Sequence, residues 1–295
     1  MKEIIISSGN LTAKFKTLGA ELISLKKGAT EYLWQGDAAY WAGQSPLLFP
    51  NTGRYWDNQY RYDGKTYEQK AHGFARTSEF DVVEHKDDRV VFGFHSSNDT
   101  ESVYPFKFFL FVAYQITETG LSVEWFVRNQ GDNDMYFQIG AHPAFNLPNY
   151  KAEDAVHAYF TFDTEEPIEY LEPLEKGCVD PNKVLTLQLD AEGMMPMTEH
   201  TFDCDTYVME SAHLKSCTLL TAERQPWVSV EFNMPVLALW SPTNQHPDCP
   251  FVCIEPWCGS CDTIGYGGDL SERRHEQHLE PGGHFLTRYT INLLG

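Results

Sequence analysis

Nowhere in the 295 residues do about twenty uncharged apolar side chains run together, the length a helix needs to cross a bilayer, so a spanning helix is excluded. The apolar run Ile4-Ile5-Ile6 is too short for the hydrophobic stretch of a secretory signal, and a cytoplasmic protein is expected. Basic residues are scarce: 22 Lys and Arg stand against 42 Asp and Glu, a formal net charge of −20. Such a surface repels phosphodiester backbones and anionic lipid unless basic residues are concentrated somewhere. No stretch concentrates them, so neither nucleic acid nor a membrane is an expected partner. Cysteine is sparse and odd in number, seven in all, which argues against a disulfide scaffold and for reduced thiols. Cys249, Cys253, Cys258 and Cys261 lie close together, but only four residues separate the two pairs, fewer than a zinc knuckle normally places between its halves. Free thiols are the preferred reading. Glycine-serine tracts, low-complexity runs and repeats of constant period are absent too, so residues 1–295 read as one domain.

Hydrophobic residues make up 42% and aromatics 14%, enough apolar surface to offset the entropy of ordering a globular chain. Most of it falls into short alternating segments bounded by turn residues, the pattern of half-buried antiparallel strands. Along residues 121–128, Leu121, Val123, Trp125 and Val127 share one face. Polar residues 129–134 then form a turn before Met135-Tyr136-Phe137-Gln138-Ile139, which predicts a hairpin. Residues 89–94, 106–116, 218–221, 227–232, 236–240 and 285–293 are likewise rich in β-branched and aromatic side chains. Connections recur too closely for βαβ crossovers, so the expected fold class is all-β, a large antiparallel two-sheet β-sandwich.

Three segments place ionisable side chains among turn residues at the ends of predicted strands, where a rigid sheet presents groups to a small ligand. The first joins Phe49-Pro50-Asn51-Thr52-Gly53-Arg54 to Ala71-His72-Gly73-Phe74-Ala75-Arg76; the others are Gly140-Ala141-His142-Pro143 and Cys253-Ile254-Glu255-Pro256-Trp257. Val252 and Ile254 read as buried strand positions, which puts Glu255 at a strand end beside the Trp257 ring. A carboxylate losing hydration there gains proton affinity and suits a general base; a solvated, strand-terminating glutamate is the alternative. His142 sits in a tight turn and titrates near neutrality, which suits a proton donor. A core histidine bonded to a carbonyl is its alternative, and His72 shares the ambiguity. Arg54 offers a fork of donors to an oxygen-rich ligand, or else is a surface charge. Phe74 and Trp257 are candidate platforms under a ring, in a chain where most aromatics must be core. Arg273-Arg274-His275-Glu276-Gln277-His278 lacks a convincing ligand spacing and reads as a solvated turn, so no metal site is expected.

Taken together and in this order, these segments resemble the signature of the aldose 1-epimerase (galactose mutarotase) family. Leu279-Glu280-Pro281-Gly282-Gly283-His284-Phe285 resembles its closing turn and strand, and Phe49-Pro50 with His72-Gly73-Phe74-Ala75-Arg76 resembles its LacX-like branch. The resemblance implies the galactose mutarotase-like β-supersandwich and a cofactor-independent isomerase. It implies Glu255 as base, His142 as acid, and His72 and Arg54 as ligand-positioning groups. It also implies an aspartate on the sugar hydroxyls near Phe202-Asp203-Cys204-Asp205-Thr206, with Asp205 preferred over Asp203. The implied substrate is a free aldohexose whose anomers interconvert by ring opening and reclosure. The run Tyr55-Trp56-Asp57-Asn58-Gln59-Tyr60 departs from that of galactose-active members and argues against a strict galactose preference. A hexose-6-phosphate mutarotase, for which Arg54 and Arg76 are available, and a non-catalytic carbohydrate-binding sandwich are the alternatives. The expected assembly is a monomer or homodimer.

Overall fold

A nine-stranded antiparallel sheet and a six-stranded one share one apolar core in the computed structural model, which describes residues 2–210 and 213–295. The larger sheet runs, edge to edge, through Met195–Met197, Ala158–Phe162, Ser216–Thr221, Pro226–Phe232, His284–Leu293, Gly120–Asn129, Phe108–Ile116, Arg89–His95 and Asp81–His85. The smaller runs Thr206–Met209, Val236–Trp240, Phe251–Cys258, Ile139–Ala141 and Leu47–Leu48, with Ala144–Asn146 also paired to Phe251–Cys258. A four-stranded sheet formed by residues 3–31 is separate from both. The strand segments expected from alternation form, except that 135–139 is broken at Gln138 into strands of two different sheets. Among the described residues, no helix is long and apolar enough to cross a membrane.

The predicted hairpin across residues 121–139 does not form. Gly120–Asn129 is flanked on its two edges by Phe108–Ile116 and His284–Leu293, so neither edge is left for the next strand. Met135–Phe137 pairs instead with Gln277–Leu279. Asn129 fixes this departure: its Nδ2 donates to the carbonyls of Asn133 and Leu279 at 2.8 and 2.9 Å.

Alternation sets which side chains enter the core. Leu110, Val112, Val123, Trp125 and Val127 from the large sheet and Leu237, Leu239, Val252 and Ile254 from the small one belong to a single buried cluster. Successive residues of a strand point to opposite faces, so the other face of Phe251–Cys258 carries Cys253, Glu255 and Trp257. That face is covered as well: all eight residues of the strand are buried. Glu255 is therefore interior to a strand and not at its end. Pro256 does not terminate the strand, because Leu237 and Val236 continue the ladder opposite Pro256 and Trp257.

Candidate active site

One register brings two distant segments together. Gly140 pairs with Trp257 and Ala144 with Cys253, so the break at His142-Pro143, between the strands ending at Ala141 and starting at Ala144, sets His142 opposite Glu255. The break is held by Ile254 N–H, which donates to the Pro143 carbonyl at 3.2 Å. His142 Nε2 then lies 3.4 Å from Glu255 Oε2, with both residues buried, 6% and 1% exposed. Gly140 permits this approach: a Cβ there would meet Trp257 Cδ1 at 2.5 Å.

His72 arrives through two interlocked turns. Its N–H donates to the Gly53 carbonyl at 2.8 Å while Gly53 N–H donates to His72 Nδ1 at 3.2 Å. Phe49 accepts from Phe74 and Ala75 N–H on the far side of the same turn. His72 and Gly73 both have left-handed φ, 66° and 69°, and a Cβ on Gly73 would stand 2.2 Å from the Phe49 carbonyl oxygen, so only glycine fits. Because Nδ1 accepts, the neutral ring carries its proton on Nε2.

His142, Glu255, His72, Arg54, Asp205 and Trp257 line one cavity of about 290 Å³, near the lower end for small-molecule sites and suited to a single ring. Of the two candidate aspartates, Asp205 lines it, accepting from Trp240 Nε1 at 3.1 Å and Thr206 Oγ1 at 3.0 Å, while Asp203 pairs with His200 at the surface. Trp257 is fixed by donating Nε1 to the Ala141 carbonyl at 3.1 Å. Phe74 is not brought into this cavity. Its ring packs against Phe49, Phe94, Tyr104 and Phe108, because the following turn, residues 75–77, points it inward. It borders an adjoining depression with Arg54 and Arg76.

Several lining residues escaped the sequence reading. Trp41 stacks on the His142 ring at 4.9 Å and 24°, and Trp240 meets that ring edge-on at 5.4 Å. Thr206 lines the cavity too, as does Arg76, which the sequence offered only as a group for a phosphate ester. Trp41 lies outside any strand, between Gly36 and Gly43, and its only sequence signal is a large ring in a glycine-bounded loop.

Burial governs the electrostatics. It pushes the Glu255 carboxyl well above the ordinary carboxylate range, with the Asp205 charge adding to it. It pushes the His142 imidazole well below its ordinary range, with His72 and Arg76 adding. When the two hold one proton between them, acid plus neutral imidazole differs from carboxylate plus imidazolium only in where that proton sits. His72 is pushed down to about 3, by burial first and then by Arg76 and Arg54, so it stays a neutral donor.

Behind the cavity, a buried ion network anchors the Arg54 turn. Arg273, expected in a solvated turn, is 2% exposed at its side chain and pairs with Asp262 at 3.3 Å and with Glu276 at 2.9 Å, lying over the Tyr55 ring. Asp262 accepts from Trp56 N–H, and its own N–H donates to the Arg54 carbonyl. Of the run read as solvated, the Arg273 and Glu276 side chains are internal, each with a charged partner inside, while Arg274 and His278 stay partly exposed. The four clustered cysteines disperse: Cys249 and Cys253 share one apolar cluster, Cys261 belongs to a second and Cys258 to the main core.

The chain is similar to the plasmid-encoded protein LacX of Lactococcus lactis subsp. lactis, 30% identical over 293 residues, covering 96% of this chain and 97% of that protein. Its fold superposes on a galactose mutarotase-like protein from Lactobacillus casei with a TM-score of 0.93 at 29% identity, covering 99% of this chain and all of that one. A galactose mutarotase related enzyme from Lactobacillus acidophilus gives 0.91 at 29%, covering 100% and 98%. The family model for aldose 1-epimerase matches residues 2–288, a span that holds both turns, the facing strands and every residue of the cavity, and the chain belongs to that family.

Proposed function

We propose that this protein interconverts the α and β anomers of a free aldohexose, with Glu255 as base and His142 as acid. The observation that carries the proposal is the buried pair, 3.4 Å apart, facing a ring-sized cavity beside His72, Arg54 and Asp205. Glu255 removes the proton of the anomeric hydroxyl while His142 protonates the ring oxygen. The ring C–O bond breaks, its electrons passing to the ring oxygen, and an open-chain aldehyde results. Rotation about the adjacent C–C bond exposes the other face, and the reversed transfers close the opposite anomer. The steps use only proton carriers, which suits a cofactor-independent isomerase. Positioned acid and base groups are each worth roughly two to four orders of magnitude. His72 donates from Nε2 to the developing carbonyl, and Arg54 and Asp205 hold hydroxyls. Seven free thiols suit action in the reducing cytoplasm.

A second reading rests on one specific observation. Arg54 and Arg76 both line the cavity of a chain with net charge −20, and among the described residues neither is ion-paired to a carboxylate. Guanidinium forks suit phosphate oxygens, so a hexose 6-phosphate is the competing substrate. Anomer-exchange NMR on matched free and 6-phosphorylated aldoses separates the two. Exchange of the free sugar alone supports the first reading, a strong preference for the phosphate ester supports the second, and exchange of neither overturns both.

A further inference from the structure

Cys253 precedes Glu255 by two residues on one strand, so both side chains project to the same face, toward the edge occupied by His142. One ligand atom each from His142, Cys253 and Glu255 lies within 4.8 Å of the other two. All three residues are buried, and Cys253 has no exposed surface. Glu255 Oε2 is also a buried acceptor without a hydrogen bond, on the side facing the imidazole. Among the described residues, no other three histidine, cysteine or acidic groups converge this way.

Zinc binds imidazole nitrogen, carboxylate oxygen and thiolate sulfur at about 2.0–2.3 Å, so ligands around one ion stand roughly 3–4 Å apart. The observed spread closes to that with side-chain adjustments of about an ångström. Charge also balances: a thiolate and a carboxylate neutralise a divalent cation, which suits a site shielded from water. The soft sulfur with imidazole selects the zinc class over magnesium or calcium. Arg54 and Arg76 oppose a cation in the same cavity, and Asp205 offsets part of their field.

We propose that His142, Cys253 and Glu255 form an inhibitory site for a thiophilic divalent cation of the zinc class, which shuts the acid–base pair off from sugar. On binding, the Cys253 thiol releases its proton to solvent, as does the Glu255 carboxyl where protonated, while the His142 ligand nitrogen is neutral. The cavity side of the ion keeps a water. Sugar and metal exclude one another because both need the same carboxylate and imidazole. The metal site stands on geometry alone; only its inhibitory consequence rests on the proposed epimerase activity.

The test titrates purified protein with Co²⁺ as a spectroscopic probe and Zn²⁺ as an inhibitor, in wild type and in Cys253→Ala and Cys253→Ser. Wild type is expected to bind one Co²⁺ with a thiolate-to-cobalt charge-transfer band that both variants lose. Zn²⁺ is expected to block anomer exchange in wild type, reversibly with chelator. Both variants keep basal exchange and need at least about a hundredfold more Zn²⁺, since losing even a group that only supports a ligand costs a metal site up to that much. No thiolate band in wild type, a band unchanged in both variants, or equal zinc inhibition in all three proteins overturns the proposal. A band lost in the variants of a protein that exchanges no sugar leaves the metal site standing and removes the epimerase reading instead.

Discussion

Trp41 covers the imidazole of His142, ring centroids 4.9 Å apart and planes within 24°, and it also packs against Trp240 at 5.5 Å. The stack fixes the plane of the acid and removes water from one of its faces. Trp41→Ala opens that face. The variant is expected to lower kcat/KM for anomer exchange by about tenfold, equivalent to roughly 1.4 kcal/mol in the transition state. Its acid limb should shift toward ordinary histidine values as hydration returns. An unchanged pH profile with full activity would show that the ring only fills space.

The facing register of His142 and Glu255 predicts that the two act as a unit. Glu255→Gln and His142→Asn are each expected to cost exchange by about two to four orders of magnitude. The double variant should cost little more than the worse single one, because groups acting in one step are not additive. Calorimetric titration with the sugar separates chemistry from recognition: binding survives in Glu255→Gln. A non-catalytic binding module would show no exchange in any of the four proteins.

A pair sharing one proton predicts a broad optimum. Adding a second proton removes the base, and losing the last removes the acid, so exchange falls on both sides. Burial moves the limbs apart, the acid one below the ordinary histidine range and the alkaline one above the ordinary carboxylate range. Asp205 raises the Glu255 carboxyl, so Asp205→Asn is expected to move the alkaline limb to lower pH. His72, pushed down to about 3, contributes no limb near neutrality. An alkaline limb that stays in place in Asp205→Asn contradicts the assignment of that limb to Glu255.

Arg76 discriminates between the substrate readings. It lines the cavity without a carboxylate partner among the described residues, so Arg76→Met removes a ligand-facing charge without breaking an ion pair. If a 6-phosphate is the substrate, kcat/KM for the ester drops by about a hundredfold, the loss of a charge-assisted contact worth roughly 1.5–3 kcal/mol. The free sugar is then little affected. If the free sugar is the substrate, the two kcat/KM values change together and modestly.

The strands were legible because burial on one face writes a two-residue period into the sequence, as in Leu121, Val123, Trp125 and Val127. Their pairing was not. Nothing local distinguishes a turn that closes a hairpin from residues 130–134, after which Met135–Phe137 joins a strand from the other end of the chain. His142 and Glu255 stood out as segments, yet their facing register depends on Gly140–Trp257 and Ala144–Cys253 pairs far apart in sequence. Trp41 was invisible because a loop carries no period. Arg273 was misread because a charged run looks solvated unless its partner, here Asp262 eleven residues earlier, is known.

That buried network predicts an unusual dependence of stability on pH. Arg273 carries one positive charge between two carboxylates, and Asp262 already neutralises it. Burial therefore raises the second carboxyl, Glu276, from 4.5 to about 8; Arg273 opposes the shift and Asp262 adds to it. The folded state holds a proton that the unfolded chain releases. Its contribution to stability is full below pH 4.5 and is lost as pH rises toward 8. Glu276→Gln keeps the shape and cannot ionise. The variant is expected to melt near wild type at pH 5 and to be the more stable of the two at pH 9, with thermal melts at intervals between tracing the divergence. Parallel melting curves for the two proteins would mean that Glu276 stays ionised and that Arg273 holds both carboxylates.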